Sequence, residues 1–149
     1  ATDMSLAGMY NIGELARVKN HDKGIYLVGF GSYEGTVLAG KKWGGEMIKM
    51  QMPNAQLGSW EELLHRTGRE GLILLMKDFR EDIFMENLIG HRAIGVVYNP
   101  ELENYGNYVP TILPLRYDAF IYIDSTRSLN PMHIKPDGHQ IPETYPFGI

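Results

Sequence analysis

The chain has 149 residues, 44% of them hydrophobic, and a formal net charge of −4 with no cysteine. That is the size of one ordinary domain with enough apolar content for a core. It excludes disorder, disulfides, thiolate catalysis and cysteine-based zinc sites, and the lack of any basic block argues against a nucleic-acid partner.

The first predicted element is a helix starting at Leu6 or Asn11 and ending at Val18. Asn11 and Glu14 have capping-box spacing, and Ile12, Leu15 and Val18 fall on one stripe. Asn20, Asp22 and Gly24 end it. "GIYLVGFGSYEG" follows, and residues 25–28 form a short apolar run bounded by glycines. Three more such runs lie at 72–76, 93–98 and 119–123. All four are apolar on both faces, which predicts parallel strands covered by helices on both sides.

Between the first two runs, "GGEMIKMQM" alternates weakly and predicts a strand or an edge ribbon. "GSWEELLHRTG" predicts a helix with Ser59 as N-cap, Glu62 at the capping-box position, Leu63 and Leu64 facing in, and Gly68 as the stop. "REDIFMENLIG" predicts a second short helix. "NPELENYGNYVPTILP", residues 99–114, is long for a connector and reads as an ordered functional or packing loop. Residues 130–149 carry four prolines and no periodicity, and predict a tail that wraps the surface without regular structure. No apolar run approaches the roughly 18–20 residues that cross a bilayer. The expected class is α/β, a mostly parallel sheet flanked by helices (α/β/α), in one domain or one piece of a larger domain.

The chemistry-bearing residues form no complete constellation. Gly29-x-Gly31-x-x-x-Gly35 approaches a dinucleotide fingerprint, but Thr36 to Gly40 is a poor helix start and no acid-ended strand follows at the right distance. The better expectation is a loop beyond a strand's carboxyl end, where sites in open parallel sheets lie, with Phe30, Ser32, Tyr33 and Thr36 lining a pocket. Ser32 lacks the spacing of a hydrolase nucleophile elbow and reads as a turn hydroxyl. Tyr98 and Asp124 end predicted strands and join the pocket candidates. Against this, Asp124 with Arg127 also reads as a turn with a surface ion pair. His65 reads as a histidine favouring a helix C-terminus. His91 and Arg92 precede a predicted strand, the wrong end for a site, which assigns them a structural or surface role. The five histidines are scattered without H-x-x-x-H or H-E-x-x-H pairing, so no metal site is expected.

"HRAIGVVYNPELENYGNYVPTILPLRYDAFIYIDSTRSLNP" resembles the C-terminal region of the erythromycin esterase-like family. So do "NIGELAR", "YLVGFGSYEGTVLAG", "WGG", "LGSWEELLH" and the ending "PETYPFGI", in the family's order, so the resemblance covers almost the whole chain. It implies an α/β/α fold, a bacterial cytoplasmic hydrolase and a macrolide-like ester substrate; no cofactor is expected, and charge and hydropathy leave no expectation of a nucleic-acid or membrane partner. It implies water attack on an ester carbonyl, with histidine as general base and carboxylates and arginines arranging the cleft. The catalytic histidines are expected before Ala1, so no catalytic position transfers to a residue here. The partner then expected is the N-terminal part of the same domain. What transfers is architecture: residues 29–36, Tyr98 and Asp124 as cleft walls. The alternative is a stand-alone small-molecule binding domain; a nucleotide-binding module ranks below both.

Overall fold

A computed structural model of the chain describes Gly8 and residues 10–79 and 81–130. Nearly all of the expected tail, and the start of the first predicted helix, lie outside the described residues. Helix α1 (Ile12–Lys19) starts where its sequence cap predicts, with the Asn11 side chain accepting from the Glu14 N–H at 3.0 Å. Its apolar stripe faces outward: Ile12 is 86% exposed and Val18 72%.

Strand β1 (Val28–Gly40) is followed by β2 (Met47–Met52), helix α2 (Trp60–His65) and β3 (Gly71–Leu75). Strand β4 (Ile89–Arg92) and β5 (Tyr108–Thr111) form a separate antiparallel pair, with the one-turn helix α3 (Glu103–Gly106) between them. The one-turn helix α4 (Leu113–Arg116) leads into β6 (Ala119–Thr126). The main sheet has the order β2-β1-β6-β3. The α/β class therefore holds, as a mixed sheet flanked by helices. The expectation of four parallel strands is corrected, because only β1 and β6 run parallel, while β2 and β3 are antiparallel edges. Apolarity on both faces of a strand reports cover on both faces, not strand direction.

Two further expectations change. The loop expected over residues 29–36 is strand, since β1 runs without a break from Val28 to Gly40. Gly29 and Gly31 are spacers rather than turn residues. A Cβ at Gly29 would sit 2.6 Å from the Tyr117 ring, and one at Gly31 2.6 Å from Phe120 Cζ and 3.1 Å from Glu61 Oε1. The run at 93–98 is not a strand but irregular chain with one parallel bridge, Gly40 to Val97. The strand lies just before it, and places His91 and Arg92 at its carboxyl end.

The short helix expected over "REDIFMENLIG" is a 3₁₀ turn at Ile83–Glu86, and the 99–114 stretch is ordered as 3₁₀, α and β pieces. Helix α2 packs against the sheet face that carries Phe120, Tyr122, Leu72 and Leu74, where the main core also takes Trp60, Met76, Met85 and Leu113. Leu63 and Leu64 join it as predicted. A second cluster of Ala39, Met50, Met52 and Tyr98 lies at the β2 end.

The opposite face of the sheet is apolar as well. Cross-strand register sets Phe30, Ile121 and Ile73 in one row, and Val28, Ala119 and Leu75 in the next. Phe30 and Ile73 are 64% and 69% exposed, and Val28, Leu75 and Ile123 are also exposed. Rows of this kind are the surface that a second layer covers in two-sided sheets.

Candidate functional site

Arg92 ties this part of the fold together. Its side chain is 3% exposed, and all five N–H groups are used. Nε donates to Tyr108 Oη at 3.1 Å, and Nη1 donates to the carbonyls of Ser32 and Tyr33, both at 2.9 Å. Nη2 donates to the Pro53 carbonyl at 2.8 Å and pairs with Glu103 Oε1 at 2.8 Å. The guanidinium thus pins β1, the end of β2 and α3 to β4. Glu103, fully buried, also accepts from the hydroxyls of Tyr98 and Tyr108.

Beside it, Glu61 is fully buried on α2, an unusual place for a carboxylate unless it is paired. Its Oε1 meets His91 Nδ1 at 2.6 Å, and both oxygens accept from the Arg92 backbone N–H at 3.2 Å. Because the carboxylate accepts, the network assigns the proton to Nδ1. Nε2 is then the acceptor for the Tyr117 hydroxyl at 3.3 Å. Phe120 and Tyr117 meet the His91 ring edge-on. Burial, ahead of the charges around it, raises the Tyr117 hydroxyl above the ordinary tyrosine range.

An open cavity of about 380 Å³ lies against this dyad, lined by Phe30, Ser32, His91, Arg116, Tyr117 and Ile123 among others. Strand β2 pairs with β1 only from Gly35 onward, so among the described residues the Val28–Glu34 part of β1 has β6 as its only strand partner. Arg116 spends one donor on Thr111 Oγ1 at 2.9 Å and stacks over Tyr117 at 5.2 Å. The guanidinium also hydrogen-bonds the Tyr117 hydroxyl, so Arg116 and Tyr117 form one polar wall of the cavity, where a carbonyl or an anion would meet a positive charge.

A second polar cluster lies at the carboxyl end of the parallel pair β1/β6. His65, in the last turn of α2, meets Asp124 Oδ1 through Nδ1 at 2.7 Å. The Tyr122 hydroxyl donates to the same oxygen at 2.5 Å. Tyr33 stacks on the His65 ring, with centroids 3.6 Å apart and planes within 5°. Burial pushes the Asp124 carboxyl up, but the hydrogen bonds from Tyr122 and His65 outweigh it and hold the group below its ordinary value.

The six pocket candidates therefore separate. Phe30 and Ser32 reach the cavity, Tyr33 and Asp124 meet at His65, and Thr36 accepts the Ser128 N–H at 2.9 Å. Tyr98 is buried on Glu103, 2% exposed, with one side on a different hollow beside Asn99. Sequence reasoning did not put His91, Arg116 and Tyr117 in a cavity wall or give His65 an acidic partner. Each of these pairings spans 26 or more residues, as His91 and Tyr117 do, so no local spacing signals it. Among the described residues no group of His, Asp and Glu could hold a metal ion, and no helix is long and apolar enough to cross a membrane.

The buried tyrosines carry a pH prediction. Burial is the first cause in each case. It raises Tyr98 and Tyr122 well above the tyrosine range, with their carboxylate partners adding to it, and pushes Tyr108 up to about 12. A raised folded value means that stability is fully present below the unfolded tyrosine value of about 10 and is lost as pH rises through the folded one. The urea midpoint is expected to be level to about pH 10 and then to fall steeply toward pH 12. Tyr98→Phe and Tyr108→Phe should each flatten that fall. A midpoint unchanged between pH 9 and pH 11.5 contradicts the burial of these hydroxyls.

Comparison with known proteins gives both a family and a fold. The erythromycin esterase family matches residues 1–126. A crystal structure of a Bacillus cereus protein superposes with a TM-score of 0.65 at 13% identity, covering 82% of this chain and 30% of that one. The crystal structure of a succinoglycan biosynthesis protein superposes with a TM-score of 0.60 at 17% identity, covering 85% of this chain and 30% of its own. At such identities the likeness shows the fold alone. The chain spans less than a third of the length of either structure.

Proposed function

We propose, from the premise that this chain belongs to the erythromycin esterase family, that it is the C-terminal portion of a hydrolase acting on a macrolide-like lactone ester. In this reading it supplies the sheet and cleft walls, while the family's catalytic histidines and the other wall come from sequence before Ala1. The observation that carries the reading is the apolar sheet face of Val28, Phe30, Ile73, Leu75 and Ile123, exposed among the described residues. An apolar surface of that extent is costly in water, at about 25 cal/mol per Å². A further part of the same domain would cover it and close the open cavity beside Phe30. Within the cavity, the Arg116 guanidinium offers a positive charge for a substrate carbonyl, and Tyr117 and Ile123 offer contact area for an apolar ring.

The reading predicts that the 149-residue chain alone does not hydrolyse erythromycin, since the base within hydrogen-bond reach of the water at the macrolide ester is assigned to upstream sequence. A chain extended upstream to the length of the full family domain should do so. Lactone opening followed by mass spectrometry checks both. Turnover by the 149-residue chain that survives rigorous purification contradicts the assignment of the catalytic histidines to upstream sequence. A stand-alone binding domain is the second reading, favoured by the cavity of about 380 Å³. Saturable calorimetric binding of a macrolide by the 149-residue chain, with no gain on extension, would select it.

A further inference from the structure

The cluster at the end of β6 has parts that a helix-terminal histidine does not need. Asp124 is held by Tyr122 Oη at 2.5 Å, and Tyr33 fixes the plane of the imidazole by stacking at 3.6 Å. The Asp124 carboxyl sits below its ordinary value, because the two hydrogen bonds outweigh its burial, so it is an acceptor. His65 Nδ1 must then donate to it at 2.7 Å, and the network assigns the Nε2 lone pair outward. His65 Nε2 has no partner among the described residues, and the side chain is 41% exposed. The cluster lies in the carboxyl-terminal part of β6, the half of a parallel strand nearer the end where open α/β sheets place their ligands.

We infer that His65 is a general base of this chain's own, with Asp124 as its orienting carboxylate and Tyr33 as its positioning ring, and that the site takes water and a small ester. The inference rests on the ester-hydrolase reading for its substrate class, but not on the upstream histidines. In the step, an O–H bond of water breaks and its proton goes to Nε2, while the water oxygen bonds to the ester carbonyl carbon. The tetrahedral intermediate expels the alkoxide, which takes the proton back from Nε2. The products are the acid and the alcohol, with the imidazole neutral again. Asp124 stabilises the imidazolium in between, as a carboxylate behind a histidine does in hydrolase triads.

The test uses the 149-residue chain and ethyl dichloroacetate, an activated alkyl ester whose poor leaving group favours a base over a nucleophile. The expected result is hydrolysis that slows in D₂O and falls about 100-fold in His65→Gln, the lower end for a positioned base. Asp124→Asn should lose rate with it. His21 is the internal control: it is exposed and paired with the neighbouring Asp22 at 2.8 Å, with neither a stacking ring nor a tyrosine behind it. His21→Gln should leave the rate unchanged. Equal rates for wild type and His65→Gln, or loss in His21→Gln instead, overturn the inference. If His65→Gln fails to fold, nitrogen-15 NMR of the wild type decides: a neutral His65 protonated on Nδ1 supports the site, and one protonated on Nε2 overturns it. Erythromycin in a parallel arm keeps the two readings apart. Hydrolysis of the small ester alone leaves both standing, whereas macrolide turnover by this chain removes only the upstream assignment.

Discussion

Arg92→Met is expected to remove about 3–5 kcal/mol of unfolding free energy, the range for breaking a buried charge pair from one side. Single domains hold about 5–15 kcal/mol in all, so the variant should be largely unfolded by mild urea. The cost is not the loss of one ion pair. Methionine fills much of the same space but leaves Glu103 buried without its cation, and takes their Arg92 donor from the carbonyls of Ser32 and Pro53, while the Tyr33 carbonyl keeps the Ala55 N–H. Each orphaned buried acceptor adds about 1–3 kcal/mol when water cannot reach it. Arg92→Lys should rescue little, because an ammonium cannot present five donors in a fork. Arg92→Met combined with Glu103→Gln should be less destabilised than the sum of the two single variants, since the second change removes the stranded charge. An unfolding free energy for Arg92→Met within about 1 kcal/mol of wild type would mean that the guanidinium does not bind β1, β2 and α3 together.

Local signals were read well, and pairings across the chain were not. The Asn11 and Ser59 caps, the Leu63 and Leu64 face of α2, the β2 edge ribbon and β6 are visible in sequence because each is decided by neighbours within four residues. β1 is hidden in the sequence from Gly29 onward because glycine is also a turn signal. Here it answers the bulk of Tyr117 and Phe120, which lie nearly ninety residues on. The run at 93–98 misleads for the opposite reason. It is apolar enough for a strand, but Arg92 and His91 spend β4 on Glu61 first, and the chain then leaves the ladder. The apolar stripe of α1 and the outer face of the sheet are legible as surfaces to be covered. Their exposure here is consistent with a chain that spans 30% of the structures it resembles. In the candidate site, a carboxylate 59 residues from a histidine leaves no pattern in the sequence, so nothing local to Asp124 or His65 announces their pairing.

Gly35→Ala is expected to cost about 4 kcal/mol, from backbone strain of about 1–3 and overpacking of about 1–3. Gly35 is the one residue of β1 paired on both sides, to Met52 of β2 and to Thr126 of β6. It is where the strand passes from one partner to the other. Its φ is +132°, a conformation that L side chains rarely adopt. A Cβ there would lie 2.1 Å from the Thr126 carbonyl oxygen and 2.7 Å from its nitrogen. Those atoms are backbone, so no rotamer change can relieve the contact, and the end of β6 has to move away. Gly44→Ala is the comparison: Gly44 has a φ of +67° with nothing within 4 Å of the added Cβ, so only the left-handed penalty of about 1–2 kcal/mol applies. Unfolding free energies of the two variants from urea titration should therefore differ by about 2–3 kcal/mol, and equal values would show that the close approach to Thr126 carries no weight. Displacement of β6 at Thr126 also draws back Asp124, two residues earlier on the same strand. In whatever fraction of Gly35→Ala remains folded, His65 should then lose the Nδ1 bond that fixes its tautomer, without any change to the site's own side chains.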